Sequence, residues 1–535
     1  MPTAVTAPSA AVARCLSMIN PSPILNRRGI PYPSAAGIGS YAGYAAADQF
    51  SRVTRGWAAS DGSADAHVDN DLDSLRKFSG DAYRNIPVAA SAIKGAVTSI
   101  VGPGLIPQSR IDREFLGLSH DEADAWQDTA EREYRLWSGS KDCDATRAQV
   151  FEEIQGLALL SSLMNGDVFA ALPLIRRSTS PYSLAVQLIE GHQVSSPDGM
   201  INDPSVSGGI RRNKRGEAIS CFVQTAHPGS ALLRTRQWQE VEFFGAKSGR
   251  PNILHLFERE RVGQSRGFPY LSSVLPKLKQ LSRLSDAELM ASVVTSFLTV
   301  FVKSPAAQGA SWGNGQGPDG QSPAAKVQLG SGELAMGHGN VLDLAAGEEI
   351  EIADPKRPNA LFEPFFRAIV QEIGGAIEQP ADVILKSFNK SYSASRAAFL
   401  MAWKFYSRRR AWMVNNFCQP IYMEFLREAV IIGRIKAPGF LQDPAIRAAY
   451  CQTEWNGPIM GQLDPLKEVS ASKMMVEEDF STRASETQRL NGADFSVNLP
   501  QRVREEKQRR EGGLGLGDAA RQPAAVQPPD KDEDE

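Results

Sequence analysis

The hydrophobic positions of this chain change period several times, and each change marks an element. From Leu72 they recur at helical spacing, through Leu75, Phe78 and Tyr83 and on through Ile86, Ala90, Ile93, Val97 and Ile100, until Gly102-Pro103-Gly104 stops the run. Asp121–Trp137 reads as a second helix with Ser119 placed to cap it, and Arg147–Met164 as a third, closed by the left-handed terminator Asn165-Gly166. Between Asp167 and Glu258 the pattern shortens to the β runs VFAALPLI, LAVQLIE, EAISCFVQ, QEVEFF and NILHLF, parted by SPDG, NKRG and KSGRPN turns. A mixed sheet with helices on one side is expected there.

A helical period returns after Gly263, with Leu271, Val274, Leu278, Leu281, Leu284, Met290 and Val294 on one stripe and Pro276 in the first turn, which sets the start near Ser273. Gly, Ser, Pro and Gln dominate Ser304 to Lys326, too long a loop for a compact domain unless it has a task. Two or three short strands follow, and then a helix, Phe362–Ile377, carries Phe366, Ile369, Val370 and Ile373 on one face. The plan is a long helix, a small β-rich excursion and a returning helix. Ser393 to Arg434 is strongly helical, with Phe399, Trp403, Tyr406, Met413, Phe417, Ile421 and Phe425 as an aromatic-rich stripe, an interruption near Pro420, and Ser393 or Ser395 as its cap. After Gln452 capped helices alternate with turns. The first 70 or so residues, rich in Ala, Ser, Gly and Pro, predict a loosely packed arm, and the acidic tail ending in DKDEDE is disordered by composition.

Composition narrows the function. A chain of 535 residues with 42% apolar residues needs more than one structural region. Lys plus Arg (58) nearly balance Asp plus Glu (61), so the basic footprint of a protein that grips nucleic acid over its whole surface is missing. The five cysteines, Cys15, Cys143, Cys221, Cys418 and Cys451, are odd in number and widely spaced, which predicts free thiols in a reducing compartment and no zinc site. His67, His120, His192, His227, His255 and His338 show no metal-ligand spacing, so neither metal nor cofactor is expected. No apolar run reaches the roughly 18 residues of a spanning helix and the N-terminus lacks a secretory pattern, so a soluble chain with no membrane partner is expected. The Gly-Lys dipeptide of a phosphate-binding loop is absent.

One motif argues for an enzyme. Gly263-Gln264-Ser265-Arg266-Gly267 satisfies Gly-x-Ser-x-Gly between a strand-like run and a helix, which would make Ser265 the nucleophile of a hydrolase. Against it, the preceding run ends in Glu258-Arg259-Glu260-Arg261, unsuited to a buried strand end, and the only later histidine is His338. The expectation is no catalytic residue at all. Glu348, Glu349 and Glu351 make an acidic strand edge, a docking or repulsive surface in preference to an acid/base pair.

Six islands, in order, resemble the lambda-like family of tailed-phage portal proteins: LRKFSGDAYRNIPVAASAIKGAVTSIVGPGL (75–105), MNGDVFAAL (164–172), VQLIEGHQV (186–194), HLFERERVGQSRGFPYL (255–271), NKSYSASRAAFLMAWKFYSRRR (389–410) and WNGPIMGQLDPLKEVSAS (455–472). The resemblance covers about 75–510 and implies an α+β portal fold assembling as a ring. It implies a flexible N-terminal arm (1–71), a wing of helices and sheet (72–268), a first stem helix (269–303), a β-rich clip (304–357) and a second stem helix (358–378). A channel loop (379–392), a long wing helix (393–435), a helical crown-like region (436–510) and a disordered acidic tail (511–535) complete it. The ring, a dodecamer if the resemblance extends so far, would sit at one capsid vertex of the virion, assembled in the bacterial host cytoplasm. Its implied partners are further copies of itself, major capsid and scaffold proteins, the large terminase subunit, head-completion and connector proteins, and double-stranded DNA passing without base reading. Lys386 and Lys390 in the channel loop and Lys277, Lys279 and Arg283 on the first stem helix are the candidates for transient phosphate contact; Glu348, Glu349 and Glu351 are those for docking at the clip. The Arg408-Arg409-Arg410 run would meet either DNA or acidic partners such as Glu424. A minor capsid protein other than a portal would share the lack of catalytic residues.

Overall fold

The computed structural model describes residues 61–200, 203–230, 237–296, 300–303, 349–352, 361–388, 391–461 and 465–512. The chain divides into Met1–Ser63 and Ala64–Glu535, and every element named here belongs to the second unit. The expected N-terminal arm is therefore shorter than 71 residues: Ala64–Asp69 is already helical, with Ala64 and Val68 buried. The rest of the expected arm, most of the expected clip, Lys390, Glu348, His338, Cys15 and the residues beyond 512 lie outside the described residues.

The first helical run is two helices, Leu72–Asn85 (α1) and Pro87–Ile100 (α2). Pro87 has no N–H to give and holds Ile86 extended, at φ −113° and ψ 109°, so the axis breaks there. In α1 the buried side chains include Leu72, Arg76 and Ser79, whereas Phe78, placed on the apolar stripe by spacing, is 64% exposed. After Ile106–Ser109 (β1) comes His120–Ser138 (α3), held by a reciprocal cap in which the Ser119 hydroxyl accepts from the Glu122 N–H and the Glu122 carboxylate accepts from the Ser119 N–H. Phe151–Asn165 (α4) ends at Gly166, whose φ is 91°.

The strands are Asp167–Ala171 (β2), Gln187–Glu190 (β3), Val206–Ser207 (β4), Ile210–Arg212 (β5), Ala218–Gln224 (β6), Trp238–Glu242 (β7) and Ile253–Phe257 (β8). They form two antiparallel sheets, ordered β3-β2-β8 and β4-β5-β6-β7, in place of the single mixed sheet that the pattern suggested. Neighbours such as β5 and β6 are joined by tight turns, which permit only antiparallel pairing. Phe169, Val194, Ile210, Cys221, Phe243 and Ile253 form a small buried cluster of their own between the two sheets.

The long helix, Leu275–Ser296 (α5), takes Pro276 in its first turn as expected. It stops short of residue 303, because Val300–Lys303 (β9) is a strand paired with Glu349–Ile352 (β10), Lys303 opposite Glu349 and Val300 opposite Ile352. The β-branched and aromatic sequence Val-Phe-Val suits a pleated ribbon better than a helix. Phe362–Ala376 (α6) returns beside α5. The expected channel loop then begins inside the body: Gln379 is buried and a short helix, Ala381–Ile384 (α7), buries Ala381, Asp382 and Ile384.

Tyr392–Met413 (α8) is capped by Ser391, not by Ser393 or Ser395, through its side chain accepting the Ala394 N–H. Its axis runs through a π turn, Val414–Cys418, into Gln419–Ile431 (α9). That turn sits just before Pro420, where the ring would otherwise strike a carbonyl one turn back. The predicted stripe supplies the main core: Phe417 stacks on Phe151 at 5.8 Å and Phe425 lies tilted against Trp137 at 5.6 Å, with Met413 and Ile421 fully buried. Thr453–Asn456 (β11) returns to pair with β1, a link between the two ends of the body that the local pattern did not show. Pro465–Glu477 (α10), Arg483–Asn491 (α11) and Phe495–Glu511 (α12) follow. Among the described residues no helix is long and apolar enough to cross a membrane.

Candidate functional site

A buried carboxylate organises the region where α1, β2 and β8 meet. Asp167, at the head of β2, is fully buried; it accepts from Arg76 of α1 at 2.5 Å and from Nε of Arg266 at 2.6 Å, and lies 3.2 Å from Nε2 of His255 on β8. One carboxylate does not neutralise two guanidiniums, so the surplus is spread over main-chain carbonyls. Arg76 donates to Asn165 and Gly191, and Arg266 to Gly191, Val194 and Gly208. Burial alone would raise the Asp167 carboxyl, but the Arg266 and Arg76 charges outweigh it and hold the group well below the usual carboxylate range. Burial pushes Arg76 down to about 10, still charged at neutral pH, and pushes His255 below the ordinary imidazole value, so the ring stays neutral between Phe169 and Phe257. Two glycines are required by this packing: a side chain at Gly191 would run into the Asp167 carboxylate, and one at Gly267 into the carbonyl of Gly166.

Arg410 makes a second such node. It donates to the carbonyls of Ile100 (3.0 Å), Ser99 (3.0 Å) and Pro458 (2.7 Å) and lies over the Trp403 ring. The two nodes explain why the six islands go together, since four of them meet at Asp167 and the first, fifth and sixth meet at Arg410. Of these charged residues only Arg410 was singled out from sequence, in the Arg408–Arg410 run and for DNA or acidic partners, whereas here it holds main-chain carbonyls. The available signal was a charge embedded in an apolar or glycine-flanked run, as in MNGDVFAAL and SRGF, because a buried charge must have a partner.

The Gly-x-Ser-x-Gly motif belongs to the first node. The Ser265 N–H and hydroxyl both donate to the Asp65 carboxylate, at 2.6 and 3.0 Å, and Asp65 also holds Arg212. The serine is fixed by an acid, with Arg266 beside it committed to Asp167, and among the described residues no imidazole hydrogen-bonds it as the general base of a hydrolase would.

The candidate phosphate contacts are scattered. Lys277 is tied to Glu372 on α6, whereas Lys279 and Arg283, one helical turn apart on α5, are exposed. Lys386 is exposed just past α7, with a φ of 52°. Glu349 and Glu351 lie in β10, opposite Lys303 and Phe301. The Arg408–Arg410 run is spent within the chain, and its acidic partners are Glu258 and Glu378 instead of Glu424, which pairs with Arg250 and Arg427. Arg408 and Arg409 line a polar cleft of about 310 Å³ with Glu258, Glu260 and Glu378. All four described cysteines are free and buried; desolvation pushes the Cys143 and Cys221 thiols up to about 12.

This is a scaffold of charge-knotted elements with a pair of adjacent helices, α5 and α6, and its sequence matches, over residues 50–410, the family described as phage portal protein, lambda family. The chain belongs to that family. It is 24% identical over 493 residues to the portal protein of Escherichia phage N15, covering 89% of this chain and 92% of that one. To portal protein B of Escherichia phage lambda it is 23% identical over 491 residues, covering 89% and 91%. Among solved structures it is similar to a chain in the neck of an empty gene transfer agent particle, at 12% identity and a TM-score of 0.42, covering 79% of this chain and 94% of that chain.

Proposed function

We propose that copies of this chain close into a ring around an axial channel, with α5 and α6 as the stem, the segment holding β9 and β10 as the clip, and the helices after residue 436 as a crown. The observation that carries the reading is where the helix pair is left bare. α5 buries Val274, Leu278 and Leu281 in its own chain, yet further along Leu289 and Met290 are 64% and 60% exposed. α6 buries Val370 and Ile373, while Phe365 towards its other end is 58% exposed. Lys277 meets Glu372, so the start of α5 lies beside the end of α6, and the bare halves project together. Apolar residues on a projecting pair need a partner, and in a homo-oligomer an adjacent copy supplies it.

In this reading the ring is a vertex of the virion, formed in the host cytoplasm with major capsid and scaffold proteins. DNA passes through it with only transient phosphate contact at Lys279, Arg283, Lys386 and Lys390. Lys277 drops to a minor role because its charge is taken by Glu372. Glu348, Glu349 and Glu351 face the large terminase subunit during packaging and head-completion proteins afterwards. A sparse set of cations suits sliding, since a dense basic lining would release many counterions and hold the phosphates.

Negative-stain images and mass measurement of the purified full chain test the proposal. Annuli with a central hole, in multiples of the 58.1 kDa subunit, are expected. A lone monomer at every concentration and salt would overturn it, and would favour a capsid component that does not form rings.

A further inference from the structure

The fold brings together two histidines that sequence spacing kept apart. Glu190 ends β3, His192 follows in the next turn, and His227 lies in the turn after β6, so the three come from two different sheets. One potential ligand atom from each lies within 4.8 Å of the others. His227 Nε2 is 3.1 Å from a Glu190 oxygen, and the two imidazole rings are 5.5 Å apart, centre to centre. His192 Nδ1 is buried and has no hydrogen-bond partner among the described residues, so this ring carries coordination capacity that the protein leaves unspent. We infer that Glu190, His192 and His227 bind a divalent transition metal of the zinc class, with the fourth position left to water.

The donor set selects the class. Two imidazoles and one carboxylate suit zinc, nickel or copper, whereas magnesium and calcium ask for oxygen cages. Metal–ligand bonds of about 2.1 Å place tetrahedral donors about 3.4 Å apart, so the side chains must draw in by roughly 1 Å. Glu190 and His227 are exposed and free to do so. His192 is held from behind, because the carbonyl of Gly191 accepts from both Arg76 and Arg266.

Without metal, the Gly229 N–H donates to His227 Nδ1 at 3.0 Å, which leaves the ring proton on Nε2 facing Glu190. Coordination through Nε2 moves that proton to Nδ1 by exchange with solvent, the ring staying neutral, while the exposed Gly229 amide turns to water. The ion would then clamp the joint between the sheets, where Gln224 and Trp238 already donate to the Ser195 hydroxyl at 2.8 and 3.1 Å. The inference is independent of ring formation.

The test is zinc titration of metal-stripped full-length protein by calorimetry, with cobalt(II) absorption to report a tetrahedral site and thermal melts to report the clamp. One ion per chain and a raised melting temperature are expected for the wild type, and loss of both in His192→Gln and His227→Ala, while His67→Ala behaves as wild type. His227 sits on an exposed turn, so its variant decides the matter should His192→Gln fold poorly. Failure of the wild type to bind zinc saturably, or one-per-chain binding that survives in His227→Ala, would overturn the site and leave a plain His227–Glu190 hydrogen bond.

Discussion

Asp167 shows how much of this molecule hangs on single buried charges. Its two guanidinium partners and the carbonyls around them form a closed set, and removing the one anion strands two cations in the interior. Asp167→Asn is expected to cost about 3–5 kcal/mol at neutral pH, the range for breaking a buried pair. The folded carboxyl is depressed, so its stabilisation is present above the unfolded value near 3.9 and is lost only as pH falls below it, through the folded value. Urea unfolding of both proteins at pH 7 and in acid checks this; the gap should be full at pH 7 and should narrow only in strong acid.

At the scale of elements, one stripe has two fates. On the α5 stripe Leu278 packs inside the chain and Met290 does not, so equivalent-looking residues answer differently to substitution. Leu278→Ala, at a fully buried position, is expected to cost about 2–5 kcal/mol of monomer stability. Met290→Asp, at an exposed one, should change it by no more than about 0.5 kcal/mol yet block annulus formation. Denaturation curves and electron micrographs of the two variants separate these effects; rings that persist in Met290→Asp would place the subunit contact elsewhere.

For the whole molecule, the near balance of 58 cations against 61 anions does not show which cations the fold itself uses. Arg76, Arg266, Arg408, Arg409, Arg410 and Lys277 all serve internal contacts. Reversing Lys279, Arg283 and Lys386 together to Glu should leave ring assembly intact and lower the DNA packaged per particle severalfold, measured by nuclease protection in a packaging reaction. Packaging at the wild-type level would remove these residues from the channel.

The order of elements was legible in the chain, because helical spacing, caps and terminators act over a few residues: the Ser119 cap, the Gly166 stop, the Pro276 start and the break near Pro420 all stand where local chemistry puts them. The antiparallel sheets, the β1–β11 pairing and the strand at Val300–Lys303 were not, since strand partners and the choice between helix and ribbon there depend on residues far along the chain. The charged nodes were hidden for the same reason. Spacing put Phe78 inside and took no account of Arg76; the position of Asp167, 91 residues away, reversed them. His192 and His227 likewise read as solitary until two sheets met. Local sequence fixes which way each segment tends to fold, because backbone and side-chain preferences reach only a turn or two, while the pairing of buried charges is decided by distance in space alone.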